Sequence, residues 1–562
     1  MKPQLLVFDR RTFLRGAASV VGAAALAACT TGRGGQGERG GGPDGPTIRI
    51  QGGQFGLPHP FSYIAAPGYW RMSFVFDTLL WADSTGERLP WLASSHELSD
   101  DGLVHTLELR ETTWHDGTPF TASDVVFTFD YFGSQTLSPL AIAAPRSVAE
   151  VIERGERTVE IRLEQADLGF EKGVLGSVPI LPEHVWSTIR DPQAASGEET
   201  FIGTGPYRLV ARDDAQGRLA FEANDDFFLG PPYVRRIEMV AVDDELRAVQ
   251  AGELDGGQSP VEGVRNDVIG PFREDAAYGV IEHETAFAFP LFWNMDRGGA
   301  LADVEFRRAC LMAIDREDIV QRLLTGNGTV GNPGFLPPGH PFHVEVDQYA
   351  YDPDAANKML DAAGFPRTNP GGVREGPDGS PLSFTLYVHD TVPPALPELV
   401  VANLEQIGVE LNHEIVDLVR LFGIKTQGTY DLLITLYPGP VGTTPNADPD
   451  ILRPVYHSDP PNQLFAAAGY DNPELDALLD RQYTIQDQDE REEVVAEIQQ
   501  IVARDLPLSI LYYTTMFFVF REDVFDAWYY TDGGFGPGIP DAYNKHAFVT
   551  GNTTGLEIRP QD

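Results

Sequence analysis

The chain has 562 residues, enough for three to four domain-sized units with large buried cores. Its 83 acidic residues against 41 basic ones leave a formal net charge of −42, a field that repels nucleic-acid backbones and anionic lipid surfaces. With 42% hydrophobic and 10% aromatic residues it is a globular protein and not an acidic disordered chain; only five of its cations are lysines, a bias that suits a salt-adapted host and a high-GC host alike.

The first thirty residues read as an address. Arg10-Arg11-Thr12-Phe13-Leu14 precedes an alanine-rich apolar run, Gly16 to Ala28, too short to span a bilayer. Paired arginines before such a run look like a twin-arginine export signal. Leu26-Ala27-Ala28-Cys29 resembles a lipobox, in which the cysteine is lipidated and becomes the first mature residue. The expected location is the outer face of the cytoplasmic membrane, lipid-anchored, in a periplasmic space or at the cell surface. Residues 30–46 form a Gly-rich tether. Its Gly32-Arg33-Gly34-Gly35-Gln36-Gly37 matches a dinucleotide motif only formally, with no strand before it and no helix after it. The other cysteine, Cys310, sits in the helical-looking apolar stretch Phe306–Ile314 and reads as a small buried hydrophobe, so there is no disulfide framework.

From Thr47 short strands alternate with well-marked helices. Thr47–Ile50 and His105–Arg110 alternate in the strand sense. Trp114–Phe120 is a turn, and Thr121-Ala122-Ser123-Asp124 is a capping box ahead of the apolar run Val125–Phe129. Asp352-Pro353 predicts a cap and first helical residue, with Gly364 closing that helix. Asn472-Pro473 predicts another, with Leu475, Leu478 and Leu479 on one face. From Asp489 to Asp505, Val494, Val495, Ile498, Ile501 and Val502 recur at helical spacing until Pro507 stops the helix.

No catalytic set emerges. HExxH, GxSxG, Walker-A and complete EF-hand patterns are absent. His96-Glu97 and His283-Glu284 each lack a second histidine, and paired acids such as Asp213-Asp214 and Asp243-Asp244 follow from composition and read as solvated surface. His115 and Asp116 stabilise a turn in this reading. The expectation is a non-enzyme without metal or cofactor.

A series of blocks then falls in a fixed order. Asp101–Arg110 and Trp114–Phe129 come first, then Gly203–Tyr207, Asn224–Pro232 and Gln250–Asp255. Phe292–Asn294, Phe306–Arg308, Ala313–Ile319, Tyr351–Ala355 and Leu360–Gly364 follow. Asn403–Val409, Tyr430–Ile434, Asp448–Asp450, Gly469–Pro473 and Leu506–Leu508 complete the series. Over residues 47–525 this resembles the extracytoplasmic solute-binding proteins of peptide/nickel-type ABC transporters, family 5.

The resemblance implies an α/β, two-lobed periplasmic-binding-protein fold, type II, of the large cluster with an extra domain inserted in the first lobe. Lobe I would comprise 47–82, 200–288 and 515–562, the inserted domain 83–199, and lobe II 289–514. Crossings between lobes are expected near Ala286–Asn294 and Tyr512–Phe520. The implied partners are a small solute and the permease subunits and ATPase of an ABC importer, with membrane contact through the lipid anchor, no nucleic acid, and a monomeric state. The leading expectation for the solute is an oligopeptide; an oligosaccharide, a sensory binding protein and an extracellular hydrolase are the alternatives. No histidine cluster near the expected cleft speaks for a nickel chelate.

In the peptide-binding relatives an aromatic-ended strand leads into a loop whose aspartate pairs with the ligand's α-ammonium. The matching strand here is Leu432–Tyr437, and its loop, Pro438–Ala447, holds no acid before Asp448. Free-amine recognition is therefore in question, with Asp448 the one substitute. The remaining candidate contacts are positional: Gln54 and Phe55 after the first strand, Trp293 and Asn294 beside a crossing, and Tyr437 at the loop entrance.

Overall fold

The structure, a computed structural model, describes residues 45–82, 88–135, 137, 145, 147–367, 371–438, 448–459, 466–485, 487–525, 530–531, 539–540 and 545–549. Arg10, Arg11, Cys29 and the loop 439–447 lie outside these residues. Among the described residues no helix is long and apolar enough to cross a membrane.

Three sheets organise the chain. The first has four strands in the order Thr47–Gln51, Arg236–Val240, Arg218–Ala223, Tyr207–Asp213, with only the first pair parallel. The second is an antiparallel sheet in the order Ala93–Leu98, Val104–Leu109, Thr158–Leu163, Val148–Gly155. The third and largest runs Gly256–Gln258, Leu508–Arg521, Tyr278–Trp293, Leu432–Ile434, Ser383–His389, Glu410–Val416. Its last three strands are mutually parallel, and the rest of that path is antiparallel.

The largest sheet is covered on both faces, and its sequence shows why. Along Tyr278–Trp293, Phe287, Phe289, Leu291 and Trp293 pack on one side, and Ala288 and Phe292 on the other. Leu432 and Ile434 face the first side and Leu433 the second, the two-residue period of a pleated strand. Helices Val304–Ala313, Arg316–Leu324, Pro353–Ala362 and Ala395–Glu405 close one face. Arg453–Tyr456, Pro473–Gln482 and Gln488–Asp505 close the other. Leu508–Arg521 is buried at every position, which accounts for its two apolar runs, Ile510–Tyr513 and Met516–Phe520.

The local signals hold. Helix Ala122–Gly133 begins at the expected box, with Asp124 Oδ2 accepting from the Thr121 amide at 2.9 Å. Asp352 caps Pro353–Ala362 by accepting from the Ala355 amide at 2.8 Å, and Gly364 follows at φ +87°. Asn472 caps Pro473–Gln482, burying Leu475 and Leu479. Cys310 is fully buried, and burial pushes its thiol up so that it stays protonated. Asp116 serves the turn as expected, its Oδ1 accepting from the Thr118 amide at 3.0 Å; His115 instead ties the turn to a distant segment, with Nε2 2.9 Å from the Gly205 carbonyl and its imidazole lowered by burial to about 4.

Candidate functional site

Strands Tyr278–Trp293 and Leu508–Arg521 pair antiparallel along almost their whole length. One end, Tyr278–His283 with Met516–Arg521, lies beside Gly256–Gln258; the other, Leu291–Trp293 with Leu508–Ser509, lies beside Leu432–Ile434. Between these ends the register shifts twice, between His283 and Phe287 and between Ala288 and Pro290. Each shift adds unpaired backbone and local twist, and Pro290 has no amide to donate. The segment 259–266 runs alongside: Thr514 Oγ1 donates to the Val261 carbonyl at 3.1 Å and Asn327 Nδ2 to the Val264 carbonyl at 3.0 Å.

Parallel strands of an open sheet gather their ligands outside their carboxyl ends, at the point where the connections reverse direction. Here Ser383–His389 lies between its parallel neighbours; the chain leaves it for Glu410–Val416 on one side and then passes to Leu432–Ile434 on the other. At these carboxyl ends an open cavity of about 660 Å³ is lined by His389, Asp390, Thr391, Asp417, Val419 and Arg420. His389 Nδ1 sits 2.6 Å from Thr391 Oγ1 and its Nε2 3.3 Å from Asp390 Oδ1. Burial lowers the His389 imidazole's proton affinity against the opposing charges of Asp390 and Asp417. Val419 is 82% exposed at the start of helix Leu418–Thr426, an apolar side chain facing solvent.

The first sheet presents a second set of carboxyl ends, Gln51 and Val240, which are neighbours in register. The chain leaves Gln51 through Gly52 and Gly53; a Cβ at Gly52 would stand 2.4 Å from the Gly217 carbonyl oxygen, so the close approach demands glycine. Arg71, buried beneath the Phe55 ring with its guanidinium 4.2 Å from the centroid, donates to the Gln51 and Gly52 carbonyls at 3.1 and 2.8 Å. Burial pushes the Glu245 carboxyl up to about 7, opposed by its bond from the Gln258 amide and the Arg71 charge.

The expected contacts do not converge on one pocket. Gln54 Nε2 donates to the Asp214 and Ala215 carbonyls, both at 2.9 Å, which fixes Phe55 beside Arg71. Trp293 is 1% exposed, donates from Nε1 to Ser509 Oγ at 3.2 Å and packs edge-on against Phe306. Asn294 is fully buried and donates from Nδ2 to the Gly428 and Tyr430 carbonyls at 3.1 and 2.6 Å, closing the end of its strand. Asp448 Oδ1 receives Arg491 Nη2 at 2.7 Å and the Asp450 amide at 3.0 Å, so this carboxylate caps a turn and pins helix Gln488–Asp505. Tyr437 pairs with Ala288, about 16 Å along the strand from Trp293 and on its other face. Its ring meets Phe335 edge-on at 5.4 Å. Phe335, at φ +74°, holds a left-handed backbone rare for a bulky residue; its carbonyl accepts from Tyr513 Oη at 2.6 Å.

The cavity residues His389, Thr391, Asp417 and Arg420 escaped the sequence reading. Their only linear signal is that two strands, Ser383–His389 and Glu410–Val416, run straight into Asp390 and into the helix cap Asp417.

The structure is similar to that of the oligopeptide-binding protein AppA from Bacillus subtilis in complex with a nonapeptide, with TM-score 0.71 and 21% identity, covering 92% of this chain and 99% of that one. It is likewise similar to NikA from Brucella suis in complex with Fe(III)-EDTA, with TM-score 0.73 and 21% identity, covering 92% and 100%. These likenesses establish the α/β periplasmic-binding-protein fold with its extra domain. In sequence the chain is 27% identical to Bacillus subtilis AppA over 442 residues, 75% of this chain and 77% of the relative. It is 29% identical to protein XP55 of Streptomyces lividans over 523 residues, 92% of both chains. Residues 87–463 match the family described as bacterial extracellular solute-binding proteins, family 5 Middle, and the chain belongs to that family.

Proposed function

We propose that this protein captures an oligopeptide between two lobes and hands it to an ABC importer. As a family 5 protein it is a non-enzymatic extracytoplasmic receptor that binds a small solute for ABC import. The observation that carries the peptide reading is the fold shared with AppA, whose complex holds a nonapeptide. In this reading 47–82, 200–288 and 515–562 form lobe I, 83–199 the inserted domain and 289–514 lobe II. The positions of the three sheets support that division, and the shifted register between the two long strands supports bending between the lobes.

Recognition is through the peptide's backbone and side chains in this reading, with no salt bridge to its α-ammonium. Asp448, the first acid after Tyr437, is committed to Arg491 and to its own turn. Phe55 is the retained aromatic contact, since Tyr437 is buried against Phe335, and the cavity at His389 and Arg420 supplies polar ones. The export and anchoring reading rests on Arg10-Arg11 and Cys29: Cys29→Ser is expected to release the protein from the membrane fraction.

The test is a thermal-unfolding screen of residues 30–562 against di- to pentapeptides, their N-acetylated forms and oligosaccharides. Peptide at a hundred times Kd adds about 2.7 kcal/mol and raises the midpoint visibly. N-acetylated peptides are expected to stabilise as much as free ones. Dependence on a free amine would overturn the backbone reading; stabilisation by sugars alone, or by nothing in the panel, would overturn the peptide one.

A further inference from the structure

The antiparallel sheet of residues 93–163 carries a cluster that the solute-binding reading does not use. His96 and His105 lie on adjacent strands, in register with Leu107 and Leu98, so they are diagonal neighbours on one face. His96 Nε2 is 2.8 Å from His105 Nδ1, and the ring centroids are 5.0 Å apart with a tilt of only 12°. The rings are thus nearly coplanar and meet edge to edge, with ring nitrogens facing each other. On its other side His96 Nδ1 stands 3.7 Å from Glu171 Oε1. One donor atom from each residue falls within 4.8 Å of the other two.

This is a donor set in search of a cation. Two imidazole nitrogens and one carboxylate oxygen are what borderline divalent ions take, leaving a fourth position for water. Metal–ligand bonds near 2.1 Å place tetrahedral donors about 3.4 Å apart, so the histidines need part by only about half an ångström. Glu171, with 41% of its side chain exposed, is free to swing inward. His105 is 1% exposed, packs on Phe170 with ring centroids 4.7 Å apart, and its Nε2 is a buried nitrogen with no hydrogen-bond partner among the described residues. Asp167, also buried, lies near enough to act on His105 electrostatically, as the carboxylates behind metal-bound histidines do. The net charge of −42 raises the local concentration of any cation.

We propose that His96, His105 and Glu171 bind one divalent ion of the zinc, nickel and copper class, clamping the strands Ala93–Leu98 and Val104–Leu109 to the turn Glu171–Leu175. The site lies on this sheet and not at the carboxyl ends assigned to the solute, so it stands or falls independently of the peptide reading.

The experiment uses untagged residues 30–562 stripped with chelator. Calorimetry with Zn²⁺ is expected to show one equivalent bound, with a raised unfolding midpoint. Co²⁺ is expected to give visible d–d bands of a four-coordinate site, bleached by Zn²⁺. Glu171→Gln is expected to weaken Zn²⁺ at least tenfold and His96→Phe to abolish the cobalt bands. Both keep the fold, since Glu171 is partly exposed and phenylalanine preserves the ring packing, and both leave solute-induced stabilisation unchanged. No zinc binding by the wild type, or binding that survives both substitutions, would overturn the proposal.

Discussion

Two of the five lysines are buried in the fold, and they differ in how their charge is met. Lys545 Nζ lies 2.5 Å from Asp77, which also accepts from Trp91 Nε1 at 2.7 Å and Thr204 Oγ1 at 2.8 Å. Lys425 has no carboxylate partner among the described residues. Its Nζ donates to the Ala466 carbonyl at 2.9 Å and stands 3.7 Å over the Phe292 ring, and burial lowers its ammonium to about 7. Below pH 7 the fold bears the full cost of that buried charge. As pH rises from about 7 towards 10.5 the folded state sheds a proton that the unfolded chain still holds, so this lysine makes stability climb across that window. Lys425→Met is expected to raise stability at pH 6 by about 1–4 kcal/mol and to flatten the climb. Urea unfolding at pH 6, 7.5 and 9 checks both; an unchanged slope in the variant would place the titration elsewhere. The sequence displays the scarcity of lysine plainly, yet nothing in the neighbourhood of Lys425 along the chain distinguishes it from an exposed one.

At the scale of elements, what was legible is what is local. Asp352-Pro353 and Asn472-Pro473 cap the helices they were expected to cap, because a cap bonds amides two or three residues away. The strand Leu508–Arg521 was legible only as a crossing near Tyr512–Phe520; its three partner strands hold residues up to 264 positions away and no local pattern names them. One of those contacts yields a test. Gly331 donates to the Leu511 carbonyl at 3.1 Å, and a Cβ there would stand 2.0 Å from the Ile510 carbonyl oxygen. Gly331→Ala is expected to cost at least about 1–3 kcal/mol by displacing this buried strand. The control is Gly428→Ala, where nothing stands within 4 Å of the added methyl and only the left-handed φ of 62° is strained. Equal losses in denaturant unfolding would show that the approach at Gly331 relaxes freely.

At the scale of the molecule, the long paired strands join Gly256–Gln258, at one edge of the largest sheet, to the parallel strands of the same sheet that end at His389 and Val416. If capture proceeds by bending at the shifted register, a stabilising peptide is expected to shrink the radius of gyration in solution scattering. A peptide that raises the unfolding midpoint while leaving the scattering profile unchanged would exclude closure as the response. The same long-range assembly unites His96 with His105. The sequence reading set His96-Glu97 aside for want of a second histidine, and the hairpin register supplies it nine residues away.

The sequence by itself determined the class of molecule: the ordered blocks from Asp101 to Leu508 place the chain in its family, and the acidic composition speaks against a nucleic-acid partner. It also determined helix ends and the alternating burial of Thr47–Gln51 and Val104–Leu109, since backbone bonding and side-chain alternation act over a few residues. Only the tertiary structure decided which candidate side chains remain available. Asn294 and Trp293 are spent closing the core, and Asp448 is spent on Arg491, a partner 43 residues away. Whether a polar group faces a ligand or another part of its own chain depends on what packs against it, and packing joins residues that the sequence holds far apart.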